Sequence, residues 1–548
     1  MRTGRFTTRG AVAGAIGAAA VGAAALAPPA AVAGAGAGEH GTLGAGPARA
    51  STSVADLAPG PSSLAAPAWV FPASDPAVSG PIGWVLEAGP ATAGRLAIAA
   101  AADPPALWAI DRETGDAAWS APTPAPVLDS WSTPTVDRRN GTVLHATGRS
   151  GTAGGVVRAV RLVDGSLAWE AELERDSVNA TPLVTTDRGP ADRAFVTDYE
   201  GFYQGGTGAK LYCINVDPFD AALNPFDPGE IVWSAPLFDG ASGSTPAYDG
   251  SRVYVGTAGN ANFGVGGSVI AFDPGATTAA AAELWRTDLG GDDGVFGGVS
   301  VSGGAVFAAT YDFFGGTESA RLLRLDAAGG AVLWSAPTNR TASIPVPLPG
   351  GRVLLSTGVP GFGSVPTLRV YDDLGTSASL AADSAAATWN DDGDGLLEPG
   401  EFDVLGGWTH QPHVVLDHPL TGGPVALVGS IDDGTGGGLF AGYTRLSLID
   451  LSVPFGSPGW VLSVHVGAGS SPAVAGTNVY TVGAAGVVAL GAYCPGDADL
   501  SGAADAFDLF AVLRRVGADD PAADLTLDGA VDAADINEQL ARLAGGCP

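Results

Sequence analysis

Near the C-terminus, two short stretches set oxygen-bearing side chains at the spacing a hard cation requires. Residues 497–508 offer Asp497, Asp499, Ser501, the carbonyl of Ala503, Asp505 and Asp508 at positions 1, 3, 5, 7, 9 and 12 of a loop, with Gly502 at position 6 for its sharp turn. Residues 524–535 repeat the arrangement with Asp524, Thr526, Asp528, the carbonyl of Ala530, Asp532 and Asp535, and with Gly529 at the turn. A third set, Asn390, Asp392, Asp394, the carbonyl of Leu396, Glu398 and Glu401, has the same spacing with Gly395 at position 6. Ca²⁺ takes six to eight oxygens from such a mixture of carboxylates, hydroxyls and carbonyls. Three Ca²⁺ ions are therefore expected, two in the C-terminal segment and one in an insertion at 390–401.

Other reactive side chains are sparse. His410, His413 and His418 stand close together with Asp417, but a His-x-x-His pair in a strand does not share a face, so ordinary hydrogen bonding in a connecting loop is preferred to a transition-metal site. Neither a Gly-x-Ser-x-Gly elbow nor a His-Glu-x-x-His helix occurs. Of the three cysteines, Cys494 and Cys547 bracket the C-terminal segment as a disulfide staple would, and Cys213 falls in an apolar strand pattern that implies a buried thiol.

The elements that hold these residues are mostly strands. From about residue 80 to 492 one phrase recurs: an apolar run, a turn, a second run ending in Asp, a turn with Gly, and a strand holding Trp. Its clearest copy is Leu107-Trp108-Ala109-Ile110-Asp111, Thr114-Gly115, Trp119. Short runs of period two, repeating at several tens of residues, are the signature of propeller blades. Seven Trp strands follow their strand pairs in order: Trp119, Trp169, Trp233, Trp285, Trp334, Trp389 and Trp460. The last pair, at 478–490, has no Trp strand after it, whereas Gly83-Trp84-Val85-Leu86 nearly duplicates Gly459-Trp460-Val461-Leu462 and is expected to close the ring from the other end. The expected fold is all-β, an eight-bladed propeller with seven blades as the alternative, followed by a small α-helical module.

The phrase Asp-x-x-Thr-Gly-x-x-x-Trp at 111–119 resembles the repeats of the pyrroloquinoline-quinone-like (PQQ-like) propeller family. That family includes quinone-dependent alcohol dehydrogenases and also scaffold propellers that bind proteins. The dehydrogenases present a disulfide of adjacent cysteines at the cofactor, and the solitary Cys213 does not match, so PQQ is not expected here. The duplicated loops at 497–508 and 524–535, each running into a short helix and ending in Asp at position 12, resemble a type I dockerin. That resemblance implies partner contact at loop positions 10 and 11, which are Ala506-Phe507 and Ala533-Ala534. Cellulosomal dockerins favour small hydroxyl residues there, so the implied partner is cohesin-like or another envelope protein. The loop at 390–401 is similar to an EF-hand loop, with Glu at position 12.

Composition fits export. Arg2, Arg5 and Arg9 precede an Ala/Gly/Val run and an Ala31-Val32-Ala33 cleavage site, which reads as a signal peptide over 1–33 with no transmembrane segment left in the mature chain. An Ala/Gly/Pro-rich spacer is expected at 34–76, the propeller at 77–492 and the dockerin-like domain at 493–548. The net charge of −31 repels phosphate backbones, which argues against nucleic acid. The preferred function is a secreted or cell-surface bacterial protein whose propeller binds a protein or glycan and whose C-terminal module anchors it. The alternative is an extracellular enzyme, quinone-dependent or carbohydrate-active, targeted by that module.

Overall fold

The computed structural model describes residues 41–53, 60–124, 132–148, 154–177, 180–186, 189, 191–199, 208–237, 243–259, 266–291, 293–312, 315–360, 364–388, 405–430, 445–491, 493–498, 504–518, 520–528 and 530–545. The expected signal peptide, Trp389 and the whole calcium loop at 390–401 lie outside them.

Among the described residues, strands fall into eight four-stranded sheets, two of which carry one further short strand. Blade 2 is representative: Thr135–Asp137, Thr142–Thr147, Val156–Arg161 and Leu167–Glu172 form an antiparallel meander. First strands of several successive blades touch one another, which places them around a common axis, and the last strand of each blade is outermost. The middle strands are buried along their length because neighbouring blades cover both faces, so they read as unbroken apolar runs. Eight blades are thus present, and the seven-blade alternative falls.

The recurring Trp pins one blade to the next. In six blades a Trp stands opposite the same point of the third strand, beside a bulge: Ala109↔Trp119, Ala159↔Trp169, Cys213↔Trp233, Ala271↔Trp285, Arg324↔Trp334 and Ala489↔Trp69. The indole N–H groups of Trp69, Trp119, Trp233 and Trp285 donate to the carbonyls of Arg112, Leu162, Ala276 and Ala327 in the following blade, at 2.8–3.1 Å. The motif glycine lies beneath the preceding ring. At Gly165, where φ is +70°, an added Cβ would come within 2.6 Å of the Trp119 ring.

Three expectations need correction. The ring is closed by Pro67–Phe71, which pairs with Gly486–Leu490 of the last blade, and not by Trp84, which pairs with Ala101 inside the first blade. In blade 6 the outer strand is Ala378–Asp383, and Ala382 takes the position expected for a Trp, opposite Val370. In blade 7 that position belongs to Ser463, with Trp460 buried just ahead of the strand.

The stretch expected as a spacer at 34–76 is, where described, largely structural. Besides the closing strand and a short helix at Pro61–Ala65, its residues 41–53 thread the propeller axis. The carbonyls of Gly41, Pro47, Ala48 and Ser51 accept from the backbone N–H groups of Val136, Tyr248, Val301 and Val414 in four different blades. Arg49 is fully buried and donates to the carbonyls of Leu43, Pro182 and Pro246 and to the Thr42 hydroxyl. Burial lowers its pKa to about 9. Small residues make up most of the strap and give it the look of a linker, with Arg49 the large side chain buried among them.

The C-terminal segment forms the helices Ala506–Val516 and Ala533–Gly545, joined through a 3₁₀ turn at Pro521–Ala523. Asp505 and Asp508 form a reciprocal capping box at the first helix. Cys494 is disulfide-bonded, Cys547 lies outside the described residues, and Cys213 is a buried free thiol.

Candidate functional site

The second C-terminal loop is described almost throughout. Asp535 is wholly buried, its Oδ1 accepting from the backbone N–H groups of Leu525 (2.8 Å) and Thr526 (3.1 Å), and its Oδ2 from Asp532 N. Asp524 Oδ1 accepts from Asp528 N, and the Thr526 hydroxyl lies 3.3 Å from both Asp524 Oδ1 and Asp535 Oδ1. Asp528 and Asp532 are exposed and cap the backbone at Ala530 and Ala534. Asp524, Thr526 and Asp535 thus face one another at ion-ligand spacing, a donor set of the kind Ca²⁺ takes. Among the described residues, however, no three His, Cys, Asp or Glu side chains gather on one point as a closed metal cage would.

In the first loop, Asp497 and Asp508 are buried and Asp505 begins the helix, while Asp499, Ser501 and Ala503 lie outside the described residues. The same holds for Asn390, Asp392, Asp394, Leu396, Glu398 and Glu401.

The dockerin-like contact residues Ala506, Phe507, Ala533 and Ala534 are all exposed. The first helix buries Asp508, Ala511 and Val512 and the second Asp535, Gln539 and Arg542. Phe507 and Phe510 are left 68% and 65% exposed, with Leu513 and Leu540 at 40% and 47%. Two fully presented phenylalanines on one short helix are an apolar patch of the kind that marks interaction surfaces.

The axis of the propeller is nearly filled. Leu43 and a ring that includes Thr133, Thr245, Gly297, Thr409 and Ser471 enclose only about 40 Å³. A larger cavity of about 430 Å³ opens between residues 41–49 and blades 2 and 3, where Arg49, Thr135, Asp137, Arg139 and Asp192 line it. On the rings around the axis, Tyr199, Phe296, Tyr311 and Trp408 form a chain of edge and tilted contacts with centroids 5.6–6.2 Å apart, and the Arg340 guanidinium lies 5.8 Å from the Tyr311 ring. Tyr199 and Tyr311 are partly exposed, as aromatic platforms for a ligand would be. The axial strap and this aromatic chain were missed in the sequence, where Tyr199 and Trp408 stand about a hundred residues from Phe296 and Tyr311.

His410, His413 and His418 are buried but assigned to separate tasks. His413 Nε2 meets Ser53 Oγ of the axial strap at 2.8 Å, and His418 Nδ1 accepts from Leu420 N. Burial lowers His145 to about 4 and both His410 and His413 to about 3. It raises Asp137 and Asp198 to about 6, hydrogen bonds from Asn140 and from Lys210 and Tyr212 opposing it. As pH falls from about 6 to 4, the unfolded chain therefore takes up protons on His145, His410 and His413, and on His465, also lowered by burial, that the fold does not, while the fold takes up protons on Asp137 and Asp198 that the unfolded chain does not. The lowered imidazoles outnumber the raised carboxylates, so stability should fall as pH falls through that window. Urea midpoints at the two ends measure it, and His410→Leu should flatten the slope. A rise in stability toward acid would contradict the assignment.

The family model described as outer membrane protein assembly factor BamB matches residues 67–218 and 265–402, more than half of the chain. The match begins at the first residue of the closing strand. Among solved structures, a europium-containing methanol dehydrogenase is similar at 14% identity over 92% of this chain and 96% of its own, with a TM-score of 0.52. The quinohemoprotein alcohol dehydrogenase ADHIIG of Pseudomonas putida HK5 is similar at 11% identity over 85% and 78%, with a TM-score of 0.50. BamB of Moraxella catarrhalis is similar at 16% over 75% and 96%, with a TM-score of 0.47. Identities this low show a shared fold and nothing finer. No curated protein matches the sequence.

Proposed function

Because the chain belongs to the PQQ-like propeller family of outer membrane protein assembly factor BamB, we propose that it is an extracytoplasmic interaction protein: a propeller that holds a protein or glycan partner and a calcium-loaded, dockerin-like module that attaches it to a cohesin-like or other envelope protein. The observation that carries this reading is the exposure of Phe507, Phe510 and Leu513 along the first helix and of Leu540 on the second, left out by helices that bury other residues between them. In the two C-terminal loops, Asp497, Asp499, Ser501, Ala503, Asp505 and Asp508, and Asp524, Thr526, Asp528, Ala530, Asp532 and Asp535, would hold the ions. Ca²⁺ would screen the crowded carboxylates and fix the helix starts that carry Phe507 and Ala534.

Calorimetric Ca²⁺ titration of the full chain should find at least two ions, both C-terminal ones lost in Asp497→Ala/Asp524→Ala. Capture of an envelope protein from the source cell should disappear in chelator and in Phe507→Asp/Phe510→Asp. Capture that survives both treatments would overturn the reading.

A further inference from the structure

We propose that the C-terminal module is seated in cis on the seam where the ring closes, and that its second calcium loop is the seat, so cation binding there and tightness of the seam are one coupled equilibrium. The inference rests on the reading of residues 524–535 as a calcium loop, and it assigns that loop a partner within the same chain.

The seam between blades 8 and 1 is built around Arg112, which is almost fully buried. Its Nε donates to the Tyr480 hydroxyl at 2.8 Å and its Nη1 to the Gly94 carbonyl at 2.6 Å, joining the last blade to the first. Its own carbonyl accepts from Trp69 of the closing strand. The guanidinium lies 5.2 Å from the Tyr480 ring and 4.9 Å from the ring of Tyr493, on the connection into the module. The chain that leaves the propeller therefore covers the charge that holds the ring shut.

From there the module lies on blade 1 through the second loop. Arg95 grips Asp111 of its own blade and donates from Nη1 to the carbonyl of Leu525 at 2.9 Å. Arg542 pairs with Glu113 of blade 1 at 3.4 Å, and Arg138 of blade 2 with Asp520 at 3.8 Å. Gly94 runs so close under Ala522 that a Cβ would fall 2.6 Å from its carbonyl oxygen. Leu527, held at φ +57°, packs against the cluster of Leu96, Leu107 and Val143.

Leu525, whose carbonyl meets Arg95, and Leu527, which packs on blade 1, sit at loop positions 2 and 4, and their backbone is set by the candidate ligands. Asp535 Oδ1 holds Leu525 N, and Asp524 Oδ1 holds Asp528 N just after Leu527. A cation that draws Asp524 and Asp535 together fixes the Leu525 carbonyl toward Arg95 and Leu527 in its left-handed conformation. Without it, neighbouring carboxylates repel and the seat loosens. Linkage requires the converse: a propeller that prefers the seated loop must tighten its cation binding.

The test uses the full chain, Ca²⁺ alone as ligand, and two readouts, titration calorimetry and hydrogen exchange. Ca²⁺ should slow exchange at residues 94–112 and 473–483, and Arg95→Ala/Leu527→Ala should weaken one of the two C-terminal ions about 10-fold and abolish that slowing. Asp528→Ala alters an exposed ligand without touching the interface, and should likewise abolish it. If two ions bind the C-terminal loops and seam exchange is the same with and without them, this inference fails and the calcium reading stands. If no ion binds there, the calcium reading itself fails.

Discussion

Trp69→Ala is expected to destabilise the protein by about 3–5 kcal/mol, the usual cost of emptying a buried Trp site. The residue contributes more than its own burial. Its ring covers Gly115, its N–H donates to the Arg112 carbonyl, and its strand supplies the fourth member of the last blade. Shortening the chain separates these contributions. A protein beginning at Gly60 loses the axial strap but keeps the closing strand, so its last blade offers no open edge, whereas one beginning at Ala77 presents the open edge of Gly486–Leu490 and should aggregate more. Urea titration and light scattering measure both. A loss under about 1 kcal/mol for Trp69→Ala would mean that the N-terminal strand does not hold the ring.

Arg49→Ala is expected to cost about 2–4 kcal/mol, because the carbonyls of Leu43, Pro182 and Pro246 lose their donor in a place water reaches poorly. The more telling readout is local. Hydrogens on the amides of Val136, Tyr248, Val301 and Val414, all given to the axial strap, should exchange faster, while amides within the middle strands keep their protection. Unchanged exchange at those four would show that Arg49 does not anchor the strap.

Why the ring and its blade number were legible, and its closure was not, follows from the same residue type. The third-strand register with Trp opposite it is local and repeats, so five of the blades announce themselves as Trp119, Trp169, Trp233, Trp285 and Trp334. Gly459-Trp460-Val461-Leu462 is an atypical copy, with Ser463 at the pinning position, so matching Trp84 to it matched an exception. Trp69 carries the right register, but the strand Pro67–Phe71 is embedded in an Ala/Pro/Ser background that hides it. The axial strap was illegible for a physical reason. Small residues make up most of it, and composition alone cannot tell these from a solvated spacer. In the C-terminal module Asp508 and Asp535 are buried in the first turns of the two helices, and the helices bury Ala511, Val512 and Gln539, a packing that the helical spacing of the larger apolar residues does not reveal. Nothing in Arg95, Arg112 or Arg542 marked them as interface residues, because each finds its partner only after distant segments meet.

The closing strand also fixes an order of events. Pro67 waits for Leu490, a partner made more than four hundred residues later, and the strap at 41–53 needs inner strands drawn from blades throughout the chain. Contacts of such span form late and slowly. A chain emerging from its N-terminus must carry its first strand unpaired until nearly all the rest exists, so the interval before closure is when its edges are most open to the wrong partner. The C-terminal module is synthesised after the propeller and comes to rest on that same seam, so it lies over the last joint of the ring to be made.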